Sequence, residues 1–536
     1  MKKLFTAQSK TITGAALVLG AASFVSRIIG VIRDRIFAHH FGVGESLDIY
    51  YAAFKVPDLV YNLLIVGALS AGFIPVFLDI WVKDKKRAWH VTNTIIHILG
   101  YTLIIVLSLL FAAMPHIIPK LVPGFSSENI QETVKLSRIM LISPLLLGIS
   151  GIISGVLQSL KSFFVYSLTP ILYNVGIIFG TIFLVPLYGI SGLAYGVILG
   201  AFFHLCVQIP TLLSHGFTYS HSYNIKDTYV RKIGKLMIPR TLTLATQQVQ
   251  IIVITILAST LTAGSISIFT FAQNLQFFPV GIIGISFALA AFPSLSEYYA
   301  KKDAARFITH LTLAIRQILF LIIPCTVIFL LLRAQIVRVV LGSGKFDWSA
   351  TIVTADTLAF FTLSFFAQCL IPLLVRAFYA RHNTIFPLIA AILSTILTIY
   401  LSMILKDSMG VTGLALAFSL SSCFQVALLW VGLRNYISTF KEIGIVSSLY
   451  KICTAAIIMA IAVQYAKYPM SKIVDMTTFI GILLQGFTVG FTGLFVYISV
   501  CKILKTEELR LITKSIQRKW LRTSPLQPEV NQGDQV

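Results

Sequence analysis

The segment SRIIGVIRDR (26–35) places three arginines and one aspartate inside a run that is otherwise apolar. At the centre of a membrane helix an Arg, Lys or Asp costs roughly 2.5–3.5 kcal/mol, so such groups face a wet cavity or one another. At about 100° per residue, Ser23, Arg27, Gly30 and Asp34 form one stripe of a helix, and Ser26, Gly30 and Arg33 form its neighbour. In the next apolar run Asp48 and Lys55, seven residues apart, share a face. These residue types support anion binding. The guanidinium fork donates two parallel hydrogen bonds to phosphate oxygens and keeps its proton at physiological pH. Arg27, Arg33 and Lys55, with Ser26 beside them, are therefore candidate anion ligands, and Asp34 and Asp48 are candidate gating or cavity-lining groups. Structural readings stand beside this one. Arg33, Asp34 and Arg35, and Arg27 deeper in the run, also fit long side chains reaching back to the membrane interface, and Asp48 also fits a helix N-cap.

The elements that must hold these groups are membrane helices. Of 536 residues, 57% are hydrophobic and 12% charged, with a mean hydropathy of +0.87. Soluble domains carry about 25% charged residues, so this chain has too little polar surface to coat a water-soluble globule. Apolar runs long enough to cross the hydrocarbon fall at about 11–38, 48–80, 89–113, 132–158, 163–186, 190–214, 230–261, 265–296, 305–332, 350–378, 384–405, 411–434, 446–466 and 478–503. These fourteen runs are continuous and do not alternate with period two, which indicates helices and excludes a barrel.

Lysine and arginine total 42 against 20 acidic residues, a net +22. In a soluble protein this would suggest nucleic acid, but loops on the cytoplasmic side of membrane proteins collect the same excess. No basic run is interleaved with aromatics, so no nucleic-acid partner is expected. With an even number of spans, Lys83, Lys85, Lys86, Arg87, Arg231, Lys232, Lys301, Lys302 and Arg381 fall on the side of both termini, and far fewer cations fall opposite. Both termini are therefore expected in the cytoplasm of a multi-pass cell-membrane protein. Lys2 and Lys3 precede a run that leads straight to Arg27 and Arg33, which reads as a retained first helix rather than a cleaved signal peptide. The basic tail (504–536) fits an interfacial helix or a solvated end. The six cysteines sit singly and the ten histidines show no ligand spacing, so neither a disulfide framework, a metal site nor a cofactor is expected.

An internal repeat organises the runs. GISGLAYGVILGAFF (189–203) matches GVTGLALAFSLSSCF (410–424) at an offset of 221, which also pairs the turn SLKSFF (159–164) with ARHNTI (380–385). FKVP (54–57) pairs with QFFP (276–279) at an offset of 222. Six spans per copy keep both copies in the same orientation, a parallel repeat that encloses a central cavity in many transporters. The expected division is 1–217 and 218–440 as six-helix lobes, 441–503 as an added helix pair, and 504–536 as the tail. Prolines in or beside the spans and small-residue runs such as GALSAG (67–72) fit either moving helices or static close packing. LGSGKF (341–346) lacks the GxxxxGK[ST] spacing of a phosphate loop, and the chain has no nucleotide-binding domain and no catalytic constellation. No enzyme is indicated.

SRIIGVIRDRIFAHHFGVGESLDIYYAAFKVPDLVYNLLIVGALSAGFIPVF (26–77) closely resembles the first two helices of the MurJ (MviN) family of lipid II flippases. FFPVGIIGISFALAAFPSLS (277–296) resembles the eighth helix of that family, and GKF (344–346) and RAFYARHNTIFP (376–387) resemble its tenth and eleventh helix regions. The resemblance implies an all-α polytopic membrane protein of fourteen transmembrane helices, with two pseudo-symmetric six-helix lobes plus two C-terminal helices that form a lipid-tail groove. It implies alternating access that moves an undecaprenyl-diphosphate-linked peptidoglycan precursor, lipid II, to the outer leaflet, without ATP and driven by membrane potential. By the same resemblance Ser26, Arg27, Arg33, Asp34 and Asp48 occupy positions tied to function, the two arginines as diphosphate ligands. The chain departs from the family pattern at Tyr61 and Asn274, where arginines are usual, at Val66 and Phe277, where glutamates are usual, and at Asn383, where an aspartate occurs. A clamp would then rest on Arg27, Arg33 and Lys55, with Asn274 and Tyr61 as polar cavity groups. The expected partners are lipid II or a related polyprenyl-diphosphate glycolipid, membrane lipid and other cell-wall synthesis proteins, with the chain a monomer. Another lipid-linked oligosaccharide, cation-coupled export, or a non-transporting scaffold of cell-wall assembly are the alternative functions.

Overall fold

A computed structural model of the chain describes residues 12–66, 72–436, 442–511 and 513. The described residues are mainly helical, and the described part of each predicted run falls largely on helix. In chain order the helices are α1 (Ile12–Phe41), α2 (Glu45–Val60), α3 (Lys85–Leu121), α4 (Ser127–Ser159), α5 (Phe163–Tyr188), α6 (Ser191–Ser214) and α7 (Thr228–Ser259). They continue as α8 (Ser265–Ala300), α9 (Ala304–Leu331), α10 (Trp348–Thr362 and Phe365–Ala380, bent by 45°), α11 (Ile385–Met409), α12 (Val411–Tyr436), α13 (Glu442–Ile473) and α14 (Phe479–Ile503). Beyond α2 the chain turns through a π-helical segment, Tyr61–Val66, and is helical again at Ile74–Trp81. Among the described residues ten helices are long and apolar enough to cross a membrane, or eleven when bent α10 counts as one. Large apolar side chains such as Leu109, Phe487 and Phe495 point outward from them. So much exposed apolar surface is stable only against lipid, and this is a multi-pass membrane protein. Most of GALSAG and most of the basic tail lie outside the described residues.

Side-chain caps set several helix starts. The Asp84 carboxylate accepts from Arg87 N (3.0 Å) ahead of α3, Asp227 from Tyr229 N (2.8 Å) ahead of α7, and Asp303 from Arg306 N (3.0 Å) ahead of α9. Each satisfies a backbone donor that the first helical turn leaves free. The sequence LGSGKF is a docking loop. Gly344 has φ +56°, and a Cβ there would lie 2.3 Å from the His39 carbonyl, which accepts instead from Lys345 N at 3.0 Å. Asp347 then caps α10 through Ala350 N (2.8 Å), and these bonds hold its carboxylate below the usual range.

The repeat has a geometric echo. Lys161 and His382 both adopt positive φ (61° and 59°), and the amides that follow close the same bonds, Ser162 N to Leu157 O and Asn383 N to Phe378 O. Gly189 and Gly410 share φ values of 59° and 58°. Pro57 and Pro279 are each followed by a π-helical segment, at Tyr61–Val66 and Gly281–Ile285. The missing proline N–H loosens the hydrogen-bond ladder at equivalent places.

Contacts divide the chain into two compact units. The first comprises 1–278, 336–361 and 385–425, and the second comprises 279–335, 362–384 and 426–536. The first has an aromatic and aliphatic core around Phe73, Phe77, Trp89 and Val156. It also holds a helix pair in backbone contact. A Cβ on Gly176 of α5 would sit 2.3 Å from Gly200 Cα of α6, and one on Gly180 would sit 2.3 Å from Gly196 Cα. Small residues one turn apart let the two backbones touch, which is a main source of attraction between helices in lipid. In the second unit α9, α13 and α14 are joined by Tyr497 Oη donating to Phe320 O (2.8 Å), and Glu508 accepts from both Arg316 (2.6 Å) and Ser448 (2.6 Å).

Replacing Gly196 by Leu should separate α5 from α6 at a cost of at least about 1–3 kcal/mol, the usual range for overpacking. Gly100→Leu, at a position with open space, serves as the control. Thermal melting of the detergent-purified variants should show a clear loss for the first and little change for the second.

Candidate functional site

Arg33 and Asp34 sit more than a turn before the end of α1, which continues to Phe41, and α5 and α8 meet them there. Arg33 Nε and Nη2 donate to Asp34 Oδ1 at 3.0 and 2.7 Å, and Nη1 donates to Asn174 Oδ1 at 3.0 Å. Asp34 Oδ2 accepts from Asn274 Nδ2 at 2.9 Å. Asn174 is itself oriented because its amide nitrogen donates to Pro170 O (2.9 Å), which turns the oxygen toward Arg33. Asp34 is buried, whereas the Arg33 side chain keeps 23% exposure. The cluster Asn174–Arg33–Asp34–Asn274 is electrically neutral and joined by hydrogen bonds from end to end, which is what lets a buried ion pair persist.

Arg27 is different. It lies two turns earlier on α1, partly exposed, and Nη1 donates to the backbone carbonyl of Phe277 (3.1 Å) with its guanidinium 5.4 Å from the Phe277 ring. Among the described residues it meets no carboxylate. At Phe277, where the family resemblance implies a glutamate, Arg27 meets a ring and a carbonyl. A cation held by a quadrupole and one carbonyl keeps most of its charge for a ligand. Ser26 is half-buried beside it, and its hydroxyl makes no hydrogen bond among the described residues.

Asp48 is a cap, but for another helix. It lies in the first turn of α2, whose own N-cap is Gly44. Its carboxylate accepts from Gly264 N (2.7 Å), Ser267 N (2.7 Å) and Ser267 Oγ (2.5 Å) at the start of α8. Three donors and the positive end of the α8 dipole hold this buried charge. Next to it Arg35 Nη1 donates to Val339 O (2.5 Å) and His39 O receives Lys345 N (3.0 Å), so the end of α1 and the start of α2 are tied to 264–267 and 339–345.

Lys55 and Tyr61 do not join the arginines. Lys55 lines a void of about 10 Å³ with Ile254, Phe269 and Gln273, and Tyr61 lines a separate cavity of about 200 Å³. The sequence reading missed Asn174 and Asp58. Both are polar groups inside apolar runs, the signal that singled out Lys55, and Asp58 is three residues beyond it.

Comparison with known proteins gives a consistent result. The family model for the lipid II flippase MurJ matches residues 37–484. A "Probable lipid II flippase MurJ" of Buchnera aphidicola subsp. Schizaphis graminum is 29% identical over 513 residues, covering 94% of this chain and 98% of its own. The "Lipid II flippase MurJ" of Burkholderia cenocepacia is 25% identical over 430 residues, covering 78% and 83% respectively. Among solved structures, "Lipid II flippase MurJ, inward closed conformation" superposes with a TM-score of 0.76 at 26% identity over 91% of this chain and 98% of that one. An inward-facing multidrug resistance MATE family transporter of the MOP superfamily gives 0.67 at 17% identity, covering 80% of this chain and 99% of that one, a likeness of fold alone.

Asp48→Ala should remove three hydrogen bonds and leave the first turn of α8 uncapped. A loss of roughly 1–3 kcal/mol is expected from thermal unfolding, the range for buried groups left unsatisfied. Asp48→Asn should recover part of it, because its amide oxygen still accepts.

Proposed function

The chain belongs to the MurJ family of lipid II flippases, transport proteins and not enzymes, and on that premise we propose that it moves lipid II from the inner to the outer leaflet of the cell membrane, for peptidoglycan synthesis, by alternating access. The observation that best supports a role for this site is the unmatched charge on Arg27, whose partners are one carbonyl and one aromatic ring. A diphosphate is first drawn to that guanidinium. Arg33 becomes the second ligand when a phosphate oxygen takes over the two N–H groups that Asp34 Oδ1 holds, while Asp34 keeps Asn274. The exchange trades one charge-assisted pair on Arg33 for another and leaves the Asp34 carboxylate with the Asn274 amide as its donor. Ser26 is placed to add a hydroxyl contact, whereas Lys55 and Tyr61 line separate cavities and take no part in this clamp. The bonds from Asp48 to Gly264 and Ser267 are the gate that must part when the site opens to the other side.

The same reading counts α1, α2 with Ile74–Trp81, and α7 as spans, which brings the eleven to fourteen. Residues 1–217 and 218–440 then form two six-helix lobes, and α13 and α14 (441–503) guide the polyprenyl tail. At about 0.8 kcal/mol per buried CH₂, that tail stays in lipid while the headgroup crosses. The excess of Lys and Arg on one set of loops supports both termini in the cytoplasm, and the chain acts as a monomer.

The test is complementation of a strain depleted of its own flippase, with labelled lipid II followed across the membrane. Arg27→Ala should lower translocation about 10–100-fold, as loss of charge-assisted bonds of about 1.5–3 kcal/mol implies, at normal expression. Arg27→Lys should retain part of the activity. Unflipped precursor accumulating with the well-expressed wild type, or full activity of Arg27→Ala, would overturn the proposal.

A further inference from the structure

A cavity of about 200 Å³ lies among α2, α4, α5 and α6. Its polar wall is Asp58, Tyr61, Ser143, Tyr173 and His204. Three prolines line it as well, Pro57, Pro144 and Pro170, each lacking the N–H that would bond the carbonyl four residues earlier. Hydroxyls have taken those carbonyls over. Ser137 Oγ donates to Ala53 O (3.1 Å), Ser143 Oγ to Met140 O (2.9 Å) and Thr169 Oγ1 to Tyr166 O (2.8 Å). The backbone of the wall therefore needs nothing from Asp58, Tyr61, Tyr173 or His204.

Those four groups face the cavity with bonding capacity to spare. Among the described residues Asp58 forms no ion pair within 4 Å; Lys55, one turn back on α2, interacts with it electrostatically while lining a different void, and the Asn62 side chain is its hydrogen-bond neighbour. Neither tyrosine hydroxyl has a hydrogen-bond partner among the described residues. His204 Nδ1 is fixed 2.6 Å from Ser150 Oγ, which also accepts from Gln208 Nε2 (2.6 Å), while Gln208 Oε1 accepts from Ser154 (2.9 Å). That chain orients the ring and leaves Nε2 for the cavity. An acid and an imidazole sharing a small chamber between helices are the parts of a proton relay. The chamber is also one residue from the cargo site, because Tyr173 lines it and Asn174 holds Arg33.

We propose that this chamber is a proton-binding site, with Asp58 as the acceptor and His204 as its partner, loaded once per transport cycle. The inference rests on the alternating-access reading above. A proton from water adds to the Asp58 carboxylate in one state and returns to water on the opposite side in the other, and no other bond changes. The titratable and charged groups around Asp58 are Lys55 and Tyr61 on its own stretch of chain, Tyr166 and Tyr173 from α5, and His204 from α6. Arg33 and Tyr50 lie beyond Tyr173, and α4 presents only Ser143.

Two measurements test this on the purified full-length protein. Infrared difference spectra between about pH 8 and pH 5, the range that brackets His and raised carboxyl groups, should show a protonated carboxylic acid band that is missing in Asp58→Asn and displaced in His204→Gln. In liposomes, wild-type lipid II translocation should change by about tenfold per pH unit along one limb, the slope of a single proton, and Asp58→Asn should flatten it to within about twofold. Melting curves and gel filtration select variants that fold. An unchanged band in Asp58→Asn, an unchanged pH limb, or dependence on sodium in place of pH would overturn the proposal and leave only a void. Wild-type protein that translocates no lipid II at any pH yet shows the Asp58 band would count against the function proposed above and for the proton site.

Discussion

Every charge carried into an apolar span must find a partner or a ligand, and the first compact unit is arranged around that demand. Asp34 is satisfied by Arg33 and Asn274, and Arg33 in turn by Asp34 and Asn174, so three helices converge on one neutral cluster. Asp48 is satisfied by the amides at the start of α8. Lys55 and Asp58 form no ion pair among the described residues, and neither does Arg27. Its partners are weak, and a guanidinium in that position is a standing attraction for an anion. An expensive charge kept without an ionic partner is hard to account for by packing.

Two of the replacements that the family resemblance implies, both on α8, follow the same constraint. Asn274 and Phe277 stand where an arginine and a glutamate are usual, so one cation and one anion disappear together and the local balance holds. Asn274 still serves Asp34 as a donor. Phe277 offers Arg27 its ring and carbonyl in place of a carboxylate, which leaves that cation more available than an ion pair would. The loss of two charged residues is thus compatible with anion binding on fewer ligands.

Packing divides into fixed and yielding parts. The glycines of α5 and α6 bring two backbones into contact, and that pair has no room to slide. The prolines of α2 and α8 are followed by π-helical segments, where the hydrogen-bond ladder is already loosened and bending costs less. Helices that must change tilt around a rigid core gain from having such places near the site.

Much of this was legible in the residues. Hydropathy placed the ten or eleven long apolar helices among the described residues, because twenty consecutive apolar side chains are a local property of the chain. The offset of 221 located the turns at Lys161 and His382 and the glycines at 189 and 410, since equal sequence makes equal turns. Charges in apolar runs marked Arg27, Arg33, Asp34 and Asp48. Partners were another matter. Asn174 is 141 residues from Arg33 and Asn274 is 240 from Asp34, and nothing in helical periodicity pairs residues that far apart. Asp48 read equally well as a cap for its own helix, and only the approach of α8 made it a cap for a different one. Lys55 shared a face with Asp48 on paper, yet helix packing turned it toward a separate void. Sequence alone determined which groups would be costly to bury. Tertiary structure decided which neighbours repay that cost, because those contacts exist only after distant helices have packed.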